Sequence, residues 1–174
     1  MFRATFLAAA MALVLSAPAG AATYQVSGKQ MAVDADAGTY KMSGGLRGDW
    51  AMTSFEEVAT EPYYEAKGTE VFDGCIDRRR DRSCKGDPSG TLSFTFRYWA
   101  LFGSEEPESF TWGACWHPVV EGTGDFAGAQ GVLTFVDSPT RKGVKTAYVG
   151  SLTLRGGKAS RRAAKASAAR RPAC

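Results

Sequence analysis

The chain has 174 residues, a single His, four Cys and no Asn, and a formal net charge of +3. Residues 22–155 hold 14 Lys/Arg against all 18 Asp/Glu, whereas residues 156–174 hold six Lys/Arg and no acid. One His excludes a multi-His zinc site, the lack of Asn excludes N-glycosylation and any Asn-dependent mechanism, and an acidic body excludes a broad nucleic-acid-binding face.

In chain order, Arg3 precedes the apolar stretch Phe6–Leu15, then Pro18 and the small residues Ala19-Gly20-Ala21. Positive charge, a short apolar run and small residues predict a cleavable secretory signal peptide over residues 1–21. A cut at Ala17-Pro18-Ala19 moves the mature start by two residues, and the competing reading is an N-terminal anchor or core helix. The run falls short of the ~20 residues that span a bilayer, and no later run reaches that length, so the mature form is expected to have no transmembrane segment. The expected location is secreted, extracellular.

From Thr23 to Leu154 the sequence reads as strand after strand. Gly90–Trp99 is the clearest: Leu92, Phe94, Phe96 and Tyr98 alternate with Thr91, Ser93, Thr95 and Arg97, a period of two. Further strands are predicted over Tyr24–Val33, Thr39–Ser43, Leu46–Thr60, Thr69–Cys75, Phe110–Cys115, Val132–Val136 and Val144–Leu154, with Gly-, Asp- and Pro-rich separators. Three of them share one beginning, Gly90-Thr91-Leu92, Gly131-Val132-Leu133 and Gly150-Ser151-Leu152, read as strands starting after tight turns. About eight short strands predict an all-β fold, a closed antiparallel barrel or a sandwich, over residues 22–155. Residues 156–174, with no large apolar side chain to bury, are expected to form a disordered basic tail able to contact an anionic envelope.

Gly122-Thr123-Gly124-Asp125-Phe126-Ala127 matches the letters of a dinucleotide fingerprint, but a strand rather than a helix is predicted to follow, so no nucleotide site is expected. The longer stretch Gly122–Phe135, GTGDFAGAQGVLTF, resembles the GGTGxFAGAxGxLTF segment of the allene oxide cyclase and dirigent-like barrel superfamily, especially its small secreted actinobacterial members. Tyr148–Leu154 is similar to the closing strand of that fold. The resemblance implies an eight-stranded antiparallel barrel with a hydrophobic interior, among relatives that include a fatty-acid-oxide cyclase and proteins steering radical coupling. Its glycines are structural, and without Asn the cyclase's Glu, Asn and Tyr set has no full counterpart here.

Cys75 and Cys84 flank a short charged segment, and export permits disulfides. Cys75–Cys84 is the favoured pair. Cys75–Cys115 and Cys84–Cys115 stay open, because a strand ending at Cys115 would finish at the same rim; Cys174 is unassigned. Asp77, Asp81 and Asp87 do not have calcium-loop spacing and are expected to pair with Arg78, Arg79, Arg80 and Arg82 on a solvated face, so no metal and no cofactor are predicted. His117, with Trp112 and Trp116, is placed at the end of a strand on the barrel rim. Glu105-Glu106-Pro107-Glu108 reads as a solvated hairpin loop.

If the barrel is hollow, Phe94, Phe96, Tyr98, Phe135 and Tyr148 are the candidates for lining its cavity; filling the core is their simpler role. The expected function is binding of a small apolar or aromatic molecule, or a non-catalytic extracellular scaffold. A cyclase or isomerase working in the cavity is the second reading, and an envelope-tethered interaction protein the third.

Overall fold

A computed structural model describes residues 21–60, 63–102, 110–141 and 143–155. Eight strands follow one another: β1 (Ala21–Asp34), β2 (Thr39–Gly44), β3 (Leu46–Ala59), β4 (Tyr64–Ile76), β5 (Ser89–Phe102), β6 (Phe110–Gly122), β7 (Gln130–Thr140) and β8 (Gly143–Arg155). Each pairs antiparallel with its sequence neighbours, and β1 pairs with β8 to close an up-and-down barrel. Closure leaves no sheet edge exposed.

Apart from β3, the strands are longer than the sequence pattern indicates. β4 starts at Tyr64 rather than Thr69, because Tyr64–Gly68, poor in β-formers, lies between the extended β3 and β5 and pairs with both. β6 does not stop at Cys115 but runs through Pro118 to Gly122. Proline can sit there because the β5–β6 ladder skips the Phe96–His117 and Thr95–Pro118 positions and pairs again at Phe94–Val119. The shared Gly-x-Leu pattern begins a strand after a turn at Gly90 in β5 and Gly131 in β7, but not at Gly150. Gly150 lies inside β8, and a Cβ there would come within 2.2 Å of the Val132 carbonyl oxygen; at Gly131 it would meet the Ser151 oxygen at 2.1 Å. These glycines let adjacent strands coil tightly against one another.

Alternation sends one face of each strand inward. Leu46, Phe72, Ile76, Leu92, Leu133, Leu152 and Leu154 fill one end together with Phe126, which comes from a three-residue 3₁₀ turn (Gly124–Phe126) between β6 and β7. That turn, followed by residues 127–129 and then β7, occupies the stretch with nucleotide-fingerprint lettering, so no helix N-terminus is formed for a phosphate. Tyr148 ties the wall together: the Leu46 N–H donates to its hydroxyl at 2.7 Å, and the hydroxyl faces the Ser43 carbonyl at 3.1 Å.

Cys75 and Cys84 are disulfide-bonded across the β4–β5 connection, whereas Cys115 is a free thiol. Cys115 sits in mid-strand opposite Tyr98 and Phe135, away from Cys75, which pairs with Ser89 at the other end. Of the acids of that connection, Asp81 is exposed and pairs with Arg79 as expected, but the other two are not on a solvated face. Asp77 and Asp87 are buried, Asp77 accepting from Arg47 Nε at 3.1 Å and Asp87 from Arg78 Nε at 2.7 Å. Residues 1–20 of the expected signal peptide, the acidic run 105–108, residues 156–174 and with them Cys174 lie outside the described residues.

Candidate functional site

The interior is solid at one end and hollow at the other. Its middle is an aromatic layer: Trp50 stacks on Phe94 with centroids 4.8 Å apart, and Phe135 lies 5.1 Å from Trp50. Above that layer is a cavity of about 270 Å³ lined by Tyr40, Phe55, Phe96, Tyr98, Phe135, Cys115 and the polar side chains Gln30, Glu70, His117, Asp137 and Thr146. Gln30, Tyr40, Tyr98, Asp137 and Thr146 also line a wider hollow that reaches Ala35 and Thr140, so the cavity opens at the end carrying the β1–β2 and β7–β8 turns.

His117 is therefore not a rim residue. It is 2 % exposed, and its Nε2 lies 2.7 Å from Glu70 Oε2, off the line of a regular hydrogen bond. Its ring packs on Phe135 at 4.4 Å, with Trp50 and Phe96 at 5.5 and 5.9 Å. Parity decides this placement. Once β6 continues past Cys115, His117 falls on the same inward face as Cys115 and Gly113, and Trp112 and Trp116 fall on the outer face. Both tryptophans are exposed there. Trp116 borders an outer groove of about 480 Å³ with Arg97 and Lys67, beside the interrupted β5–β6 ladder.

Of the five cavity candidates, Phe96, Tyr98 and Phe135 line the hollow. Phe94 and Tyr148 lie in the packed core, Phe94 under Trp50 and Tyr148 with its hydroxyl on Leu46. The polar residues Glu70 and Asp137 were missed by sequence reasoning, although a signal existed. Glu70 shares the parity of Phe72, and Asp137 that of Leu133 and Phe135; a carboxylate on the apolar face of an alternating strand points into the barrel.

Electrostatically the hollow disfavours added negative charge. Burial pushes the Asp137 carboxyl up from its ordinary range, opposed by hydrogen bonds from Thr146 and Tyr98. Burial also pushes the Tyr98 phenol well up, helped by the Asp137 charge, and the Cys115 thiol well up, helped by Glu70 and Asp137. Tyr40 rises for the same first reason, then through Glu70. Both phenols and the thiol are thus held neutral beside two carboxyl groups. His117 Nδ1, Glu70 Oε2 and Trp50 Nε1 are buried without a hydrogen-bond partner among the described residues. Such atoms are rare in folded proteins and mark places where a polar guest or water gains a bond.

No grouping of His, Cys, Asp and Glu suited to a metal ion occurs among the described residues. The fold and this cavity define a class: a closed eight-stranded antiparallel barrel, apolar at one end, with a half-polar pocket open at the other. Neither the known family models nor the curated proteins contain a match to the chain.

Proposed function

We propose that the barrel binds a small, neutral ring molecule carrying a hydrogen-bond donor, its ring between Phe96 and Phe135 and its donor toward Glu70 or Asp137. The observation that carries this reading is the buried Glu70–His117 pair with unpartnered polar atoms at the cavity wall. A cavity of about 270 Å³ suits one or two rings, given that roughly 150 Å³ accommodates benzene. The test is NMR titration with 2-naphthol. Saturable shifts at the amides of Glu70, Cys115 and Thr146, lost in His117→Phe, are expected. Shifts confined to the outer residues Trp112 and Trp116 would refute the reading.

A second reading is favoured by one specific feature, an imidazole beside a carboxyl group in the same pocket as the Tyr98–Asp137 pair. A group that can take and return a proton next to an apolar ring site is what an isomerase or cyclase needs. Deuterium exchange at the α-carbon of a cyclic ketone such as 2-tetralone tests it. Catalysed exchange abolished by His117→Gln supports it, and equal exchange in the variant removes it.

The site is proposed to work outside the cytoplasm. The Cys75–Cys84 disulfide is compatible with an oxidising compartment, and the leader-like residues 1–21 supply the route. Chemical sequencing of protein recovered from the culture medium should begin at Ala22. Membership in the allene oxide cyclase and dirigent-like superfamily is proposed on the Gly122–Phe135 stretch together with strand number and order. The envelope tether is proposed on the charge of residues 156–174 alone, and deleting them should release the protein from anionic surfaces.

A further inference from the structure

Four cationic side chains converge on the outside of the barrel, beside the open end of the ring cavity, whose wider hollow also reaches Lys29. Lys29 of β1, Arg47 of β3, and Arg80 and Arg82 of the disulfide-closed connection line a hollow of about 540 Å³, together with Ser27, Ser43 and the backbones of Gly28 and Gly44. Only Arg47 meets a carboxylate, the buried Asp77. Arg80 donates to Ser27 Oγ at 3.3 Å, and neither Arg80, Arg82 nor Lys29 forms an ion pair among the described residues.

The connection sorts its arginines. Arg78 is consumed internally by Asp87 and the Gly86 carbonyl, and Arg79 by Asp81 and the Lys85 carbonyl. Arg80 and Arg82 are instead held in left-handed backbone conformations, φ 55° and 66°, which residues with a Cβ adopt at an energetic cost. The buried Asp77 holds this geometry by accepting the Arg82 N–H at 3.1 Å and Arg47 Nε, and the Cys75–Cys84 bond closes the segment around it. Glycine would suit both positions better, so the two arginines stand against local backbone preference.

We infer that this hollow is a binding site for a ligand carrying more than one phosphate-type oxyanion. Guanidinium forks suit phosphate oxygens in pairs, Lys29 adds a mobile point charge, and Ser27 adds a hydroxyl, that of Ser43 being donated to the Lys29 carbonyl. A hollow of this size with three cations free of ion pairs fits a short phosphate chain or clustered phosphate headgroups rather than a lone anion. The site shares no side chain with the ring cavity itself, although Lys29 also borders that cavity's wider mouth, and its ligand chemistry is opposite in charge preference.

The test uses the glycine preference of the two positions. Arg80→Gly/Arg82→Gly removes both guanidiniums while suiting the backbone, so the variant folds, and an unchanged or raised thermal midpoint verifies that. Inorganic tripolyphosphate is titrated into the whole protein in 0.15 M salt and followed by amide shifts at Ser27, Lys29, Ser43 and Gly44. Saturable shifts, weakened at least tenfold in the double variant and severalfold in Lys29→Gln, are expected. Vesicles of phosphatidylglycerol form the second arm: binding to these alone, with the same sensitivity to the double variant, assigns the oxyanions to lipid headgroups. The tail is common to all variants, so equal affinity of native protein and double variant in both arms, or no saturable shift at these amides with no vesicle binding, overturns the site.

Discussion

Glu70 Oε2 and His117 Nε2 stand 2.7 Å apart although their strands, β4 and β6, are not hydrogen-bonded neighbours. The two side chains meet over the intervening β5, whose Phe94 and Phe96 rings lie within 6.4 Å of the imidazole centroid. This contact places an acid–base pair in an otherwise aromatic layer, and it has measurable consequences for stability.

Removing one partner leaves the other buried without compensation. His117→Ala should lower unfolding free energy by about 3 kcal/mol, through the cavity left against Phe135 and the loss of the imidazole beside the buried Glu70 carboxyl group. Replacing both partners, Glu70→Leu with His117→Phe, should come within about 1 kcal/mol of the native protein, because no polar group is then stranded. Urea denaturation of Glu70→Leu, His117→Phe and the double variant measures the coupling. Additive losses would show that the pair does not interact energetically.

Cys115 should be a poor nucleophile. Burial raises its thiol, and the Glu70 and Asp137 carboxyl groups raise it further, so little thiolate exists near neutral pH. Alkylation by iodoacetamide at pH 8, read at the Cys115 peptide by mass spectrometry, should be at least tenfold slower in the folded protein than in urea. Cys75 and Cys84 should stay unlabelled until a reductant is added.

Asp137 makes a pH prediction of definite sign. Its carboxyl is raised in the folded state, so above the ordinary carboxylate range the unfolded chain has lost this proton before the folded one has. Its contribution is therefore most favourable in acid, and stability is lost as pH rises through the raised value. Asp137→Asn should increase the thermal midpoint at pH 7 and not at pH 3. An equal change at both pH values would mean that ionisation of Asp137 is not the cause.

Tyr148→Phe should cost about 1–3 kcal/mol, because the Leu46 N–H then loses its acceptor inside the protein. The hydroxyl itself is pushed up to about 12, by burial first, so it serves as a neutral hydrogen-bonding group across the working pH range. Guanidinium denaturation gives the loss, and a value near zero would mean that water reaches Leu46 in the variant.

Alternation alone determined much of this molecule. The period-two run Leu92–Tyr98 and the turn-rich separators were enough for eight strands and a closed or stacked β fold, since a strand repeats every two residues wherever it lies. Spacing was enough to favour Cys75–Cys84, because a short connection brings its ends together whatever the rest of the chain does. The functional pocket was only half legible. Phe96, Tyr98 and Phe135 follow from inward parity, but whether an inward ring fills the core or lines a hollow depends on its height along the barrel axis. That height is set by register with strands distant in sequence: Phe94 lies under Trp50, while Phe96, two residues on, reaches the cavity. The sequence pattern ended this strand at Cys115 and left His117 at a rim; the tertiary structure instead lets β6 pass through a gap in its ladder and carries the histidine inside to Glu70. Tertiary structure alone decided that contact, because the two residues are joined neither by local spacing nor by direct strand pairing, only by curvature that closes the sheet.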